Sequence, residues 1–154
     1  MNKVRLMCLY QQGAFSRTDK SALSKRIDAI YHRYFHSAPK VMLIWVAIPR
    51  GQSYIAGQPS SATTLTLNVP NGTADTLRHS LMKEICSEWM TYTNCNQNQV
   101  ILSVMDDDLA SQFTAYSLAR IAVNRRKRTL CRLIIKMLLK RAITGHFSIT
   151  TNLR

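Results

Sequence analysis

The sequence predicts an α/β fold in which one βαβ unit is used twice, and three observations carry that reading. A helical apolar stripe is followed at once by a continuous apolar run, the same succession returns in the second half, and a segment alternating with period two stands between them. With 154 residues, 46% of them hydrophobic and 19% charged, the chain suits one globular core and excludes a mainly disordered polypeptide. No stretch approaches the ~20 apolar residues of a membrane span. The run Leu6 to Tyr10 behind Lys3 and Arg5 is too short for a signal peptide, so a cytoplasmic location is expected.

The elements follow in order. A first strand is expected over residues 3–10. Ser16 and Asp19 form a helix start, and Leu23, Ile27, Ile30, Tyr31 and Tyr34 recur at three-to-four spacing, which predicts an amphipathic helix over 17–36 closed by Pro39. Val41 to Ile48 is a continuous apolar run, the pattern of a strand covered on both faces. A polar loop with Gly51, Gly57 and Pro59 leads into the alternation of 64–69. The turn Pro70-Asn71-Gly72 and a cap within Thr73 to Asp75 open a second helix, whose Leu77, Leu81, Ile85 and Trp89 lie four apart. It should end near Thr93 to Asn96. The strand Gln99 to Met105 is then stopped by Asp106-Asp107-Asp108, read as a solvated turn rather than a cation site. Ile27 to Val41 spans 14 positions and Ile85 to Val100 spans 15, a faint residue-level trace of the duplication. The tryptophans Trp45 and Trp89 fall on apolar faces and are expected in the core.

Charge is unevenly placed. The net +13 divides into +3 through Asp108, with 11 basic and all 8 acidic residues, and +10 from Leu109 onward, with 10 basic residues and no acid. Arg125-Arg-Lys-Arg128 followed by Leu130, Leu133, Ile134, Met137 and Leu138 predicts a basic amphipathic C-terminal helix. It fits three readings: a membrane surface, a nucleic-acid backbone or an acidic protein as partner, an apolar face packed on the sheet or a neighbouring subunit with solvated cations, or an aberrant extension. The four cysteines show no CxxC spacing and are expected as buried thiols, and the scattered histidines predict no metal site.

In order and spacing, Gly13-Ala-Phe-Ser16 with Asp19-Lys20, Leu23 and Ile27-Asp28, then Val46-Ala-Ile-Pro-Arg-Gly51 with Tyr54, Gly57 and Pro59, then Gly72-Thr-Ala-Asp75, and finally Gln99-Val-Ile with Ala110-Ser-Gln112, resemble the tautomerase superfamily, in its fused group with two βαβ units per chain. The resemblance covers about residues 4–116. It implies a four-stranded mixed sheet with two helices on one face, here followed by the C-terminal basic helix, and a homotrimer that buries the open sheet faces. It divides the chain into a tautomerase-like domain, 1–116, with units at about 3–50 and 63–108, and a basic extension, 117–154. It also implies an isomerase of small enol or 2-oxo carboxylates that needs no cofactor and works through an N-terminal proline amine, two substrate arginines and a water-positioning glutamate.

Those positions depart from the pattern. The proline position is Val4, the arginine positions are Pro70 and Thr73, and the glutamate position is Ala115, so catalytic and substrate-binding residues remain unassigned and the site is degenerate. Tyr31, with His32 beside it, and Tyr116 stay as pocket candidates, while Met1, Arg5 and Arg50 are the remaining sources of an amine or guanidinium. An enol needs a base to take its proton, and an amide nitrogen inside the chain has no basic lone pair to supply. Activity is therefore expected to be weak or absent, and the alternative is a non-catalytic binding or structural protein whose tail contacts an anionic partner.

Overall fold

A computed structural model describes residues 4–120 and 123–150. The chain runs β1 (Arg5–Gln11), α1 (Arg17–Tyr34), β2 (Met42–Ile48), β3 (Tyr54–Ile55), β4 (Gln58–Pro59), β5 (Thr63–Val69), α2 (Asp75–Thr93), β6 (Val100–Asp106), α3 (Asp107–Ala119), α4 (Val123–Thr144) and β7 (Phe147–Thr150). The main sheet has the order β6-β5-β1-β2-β7. β1 pairs parallel with β2, and β5 pairs parallel with β6, each across its own crossover helix. β1 and β5 meet antiparallel in the middle, with Leu6 opposite Leu67 and Cys8 opposite Leu65.

The duplication is plain in space. α1 begins at Arg17 and α2 at Asp75, β2 begins at Met42 and β6 at Val100, so the units stand 58 residues apart. Both helices lie on one face of the sheet. Leu23, Ile27, Ile30 and Tyr31 from α1, with Leu81, Ile85 and Trp89 from α2, pack on Leu6, Cys8, Tyr10, Leu43, Trp45, Leu65, Leu67 and Val69. Alternation along the strands sends Met7, Ile44, Thr66 and Ser103 to the opposite face, where neither helix covers them. The core aromatics interlock edge to face, Tyr10 and Phe15 against Trp45 and Phe15 against Trp89, at centroid distances of 5.5 to 5.9 Å.

Several local expectations change. Ser16 caps α1 as its sequence announces, accepting from the Asp19 N–H while Asp19 accepts from the Ser16 N–H. The α2 cap is Ala74, inside the expected Thr73 to Asp75, and as an alanine it gives no side-chain bond, while the Thr73 hydroxyl donates to the Pro70 carbonyl at 2.6 Å. The polar loop after β2 carries the small hairpin β3–β4, turned through Ala56 and Gly57 at positive φ. Asp106, Asp107 and Asp108 are a strand-to-helix junction and no solvated turn: the first ends β6 and the other two occupy the first turn of α3, where acids complement the helix dipole. Of the cysteines only Cys8 is buried, Cys86 and Cys95 are half-buried and Cys131 is exposed. All four are thiols, and burial pushes that of Cys8 well up. The basic helix is present as α4, but the tail also contributes a strand. Gly145, at φ +80°, ends α4 with its N–H on the Arg141 carbonyl, and β7 then adds to β2 in parallel as a fifth strand.

Candidate functional site

The uncovered face of the sheet becomes concave where α3 leaves the end of β6 and leans back over it. A groove of about 580 Å³ results, floored by Met7, Ile44, Thr66 and Met105 and walled by Ala110, Ser111, Phe113, Thr114 and Ala115 of α3. Arg5, Asn68 and Asp107 form its polar end. Apolar walls with a few convergent polar groups are the usual build of a small-molecule site.

Asn68 organises that end. It is only 8% exposed, and its Oδ1 accepts from the Arg5 N–H at 2.7 Å while its Nδ2 donates to Asp107 Oδ1. Its carbonyl accepts from the Tyr31 hydroxyl at 3.3 Å. One side chain thus ties the start of β1 to the start of α3, and its neighbour Asp108 is held by the Asn71 side chain at 3.0 Å. Arg5 is the cation of the groove lining, and its guanidinium hangs from an exposed residue.

Val4 stands where the resemblance places the proline, and it is core. The side chain is 5% exposed, and its carbonyl accepts from the Met42 N–H at 2.9 Å as β1 pairs with β2. Its nitrogen belongs to a peptide bond and offers no basic lone pair. Met1 lies outside the described residues. Ala115 lines the groove with a methyl group where the resemblance asks for a carboxylate. Pro70 and Thr73 close the turn into α2, the Thr73 N–H bonding the Pro70 carbonyl at 3.3 Å, and neither lines the groove.

The tyrosine candidates part company. The Tyr31 ring is fully buried against Phe35, and burial, with the Asp107 charge adding to it, pushes its hydroxyl well above the usual phenol range. Tyr116 is 67% exposed on α3 and stands outside the groove lining. Arg50 lies beside Gly13, beyond the far end of β1 from Arg5, so the two guanidiniums serve opposite ends of the strand. His32 sits at the end of α1 with its two ring nitrogens 2.8 Å from the Asp28 carbonyl and 3.0 Å from the Ala38 carbonyl.

Two residues with roles at this end are not evident from local sequence. Asn68 is legible in part, since the alternation puts it with Thr64 and Thr66 on the uncovered face, but its partners come from 63 and 39 residues away. Arg78 brings a guanidinium over the turn that lacks its expected arginines, donating to the Thr73 carbonyl at 2.8 Å and pairing with Asp106. It is pinned by those partners and fastens α2 to β6. Among the described residues, no group of three or more His, Cys, Asp and Glu is gathered closely enough to hold a metal ion.

A duplicated βαβ unit joined antiparallel through its first strands, with both helices on one face, is the fold of the fused tautomerases. Three solved structures carry it closely enough to compare. Native Ps01740 is 23% identical at a TM-score of 0.63, over 66% of this chain and 92% of that one. N1, a member of the cis-3-chloroacrylic acid dehalogenase family, is 16% identical at 0.61, over 66% and 73%. A fused 4-OT described as a symmetric trimer is 17% identical at 0.59, over 66% and 84%. No family model matches the sequence, and no curated protein is significantly similar to it.

Proposed function

We propose that the protein is a tautomerase-superfamily homotrimer that binds a small enol or 2-oxo carboxylate in the groove between its open sheet face and α3 and isomerises it weakly or not at all. The observation that carries this reading is Val4, a buried peptide unit at the place where the superfamily works with an amine. Without that base, proton transfer loses the ~10²–10⁴-fold that a positioned acid or base contributes. What the groove retains is recognition. Arg5 offers a guanidinium to a carboxylate, Thr66 and Ser111 offer hydroxyls, and Met7, Ile44 and Phe113 offer apolar contact to a ligand body.

On this reading residues 1–116 form the tautomerase-like domain, residues 117–154 are an addition to it, and the protein is cytoplasmic. The part of the open sheet face outside the groove supports the homotrimer, since it leaves Ile101 48% exposed. Phenylpyruvate titrated calorimetrically into the full-length protein should bind, and Arg5→Ala should weaken it on the order of tenfold, the worth of one charge-assisted contact. Phenylenolpyruvate should ketonise no faster than in buffer. Ketonisation far above that rate by the native chain, or binding that ignores Arg5→Ala, would overturn the proposal.

A further inference from the structure

We propose that α4 is a docking helix for an anionic lipid bilayer, lying flat on the surface. The observation is an exposure that the fold leaves unexplained. Ile134, Ile135, Leu138 and Leu139 are each more than half exposed, in two pairs four residues apart, and Ile143 is 73% exposed. Leu130, Met137 and Thr144, seven apart, are the half-buried line that faces the body, and among the elements α4 contacts chiefly β7. A contiguous aliphatic surface of this kind on a soluble chain marks an interaction site.

Charge selects the partner. α4 holds eight basic residues among its 22 and no acid. Arg128, Arg132 and Lys136 recur every four residues, an arrangement in which like charges repel along one stripe. Arg125 stands in the first turn of α4, where the helix dipole disfavours cations, and Arg126, Lys127 and Arg128 follow it in the sequence. A second copy of this chain has little to neutralise them with. Four of its eight carboxylates are already ion-paired within the chain, Glu84 with Arg33, Glu88 with Arg26, and Asp75 and Asp106 with Arg78, and the eight together face 21 lysines and arginines. The anions therefore come from elsewhere.

Aliphatic side chains interleaved with the cations choose lipid over nucleic acid, whose phosphates need the charges but give isoleucine and leucine nothing to enter. A phosphatidylserine surface satisfies both: the side chains of Ile134, Ile135 and Leu138 enter the acyl boundary while Arg132 and Lys136 extend along their stems to the headgroups. At 1.5 Å per residue the helix would lie along about 33 Å of surface. Among the described residues no helix is long and apolar enough to cross a membrane, which fits a helix that lies on one.

The test is co-sedimentation of the full-length protein with vesicles of phosphatidylcholine alone and of phosphatidylcholine with 30 mole per cent phosphatidylserine, at about 0.1 M salt, where screening is moderate. Binding is expected to the anionic vesicles and not to the neutral ones. Arg128→Gln/Arg132→Gln/Lys136→Gln should weaken it roughly 100-fold, at about fivefold per cation, and Ile134→Asp/Leu138→Asp should abolish it, with circular dichroism showing each variant folded. Absence of binding to anionic vesicles overturns the proposal. So does full retention by the aspartate variant, or equal retention of the native protein by duplex DNA, since either makes α4 a plain polycation. A change in the native oligomer's mass caused by the aspartate substitutions, with vesicle binding unaltered, would assign the aliphatic face to a second copy and also overturn it.

Discussion

The two βαβ units share their spacing but not their burial. β2 contributes Leu43, Trp45, Val46 and Ala47 to the buried set, whereas β6, its counterpart, has no fully buried residue and leaves Ile101 48% exposed. The cause is position in the sheet: β2 is flanked by β1 and β7, while β6 is an edge strand paired with β5 alone. The helices differ in the same sense. α1 opens on a complete capping box and ends on His32 between two carbonyls, whereas α2 opens on Ala74 without a side-chain cap. A repeated pattern thus fixes where elements lie, and their neighbours decide how much each one stabilises.

That contrast can be broken at several points. Trp45→Ala should destabilise by about 3–5 kcal/mol in urea unfolding, the cost of emptying a large aromatic site, while Leu102→Ala, half-buried on the edge strand, should cost clearly less. Equal losses would mean that the units are equally buried. Trp45 also holds a buried ring N–H with no hydrogen-bond partner, so Trp45→Phe should cost clearly less than Trp45→Ala.

Next in size is the link between units. Asn68→Ala leaves the Arg5 N–H and the Asp107 carboxylate without their partner and should cost about 2 kcal/mol. Amide exchange in α3 should accelerate more than in α1, and unchanged exchange in α3 would remove Asn68 from its role. Smaller again are the caps. Ser16→Ala should lose about 1 kcal/mol, and Ala74→Ser should gain a comparable amount, since only the first helix now has the bond. A gain of stability from the first substitution would contradict the assignment.

The smallest effect is a pH dependence carried by the first unit. A neutral imidazole donates from one nitrogen only, so two carbonyl acceptors favour the protonated ring. The His32 pKa accordingly rises above its usual value, first through the bond to the Asp28 carbonyl and then through the Ala38 carbonyl and the Asp28 charge. The folded state holds that proton more tightly than the unfolded chain does. The contribution is therefore complete below about pH 6.5 and fades as pH rises through the higher folded value. His32→Gln should flatten the stability profile in that range, and a profile that steepens instead would mean that the folded state disfavours the His32 proton.

Most of the frame is readable because period and composition are local properties. The α1 stripe, the continuous run of β2 and the alternation of β5 each announce their class within one segment. α3 and β7 do not, and for physical reasons. Leu109, Phe113 and Tyr116 give α3 a helical spacing, but all three are exposed and no core face marks the helix. β7 is four residues whose strand character depends on the β2 edge that receives it. At the proposed site, Val4, Pro70, Thr73 and Ala115 can be named from the sequence as positions where it departs from the pattern it resembles. The roles of Asn68 and Arg78 cannot, since each acts through a partner brought close only by folding.

The most direct test of the central claim is ketonisation of phenylenolpyruvate, followed by ultraviolet absorbance, in the native chain and in a variant lacking residues 2–4 with Pro placed directly after Met1. The account predicts that the native chain stays at the buffer rate and that the variant, its new N-terminal proline standing at the Val4 position, rises above it. A native chain well above the buffer rate and as fast as the variant would contradict the account, because a base other than an N-terminal proline amine would then be at work.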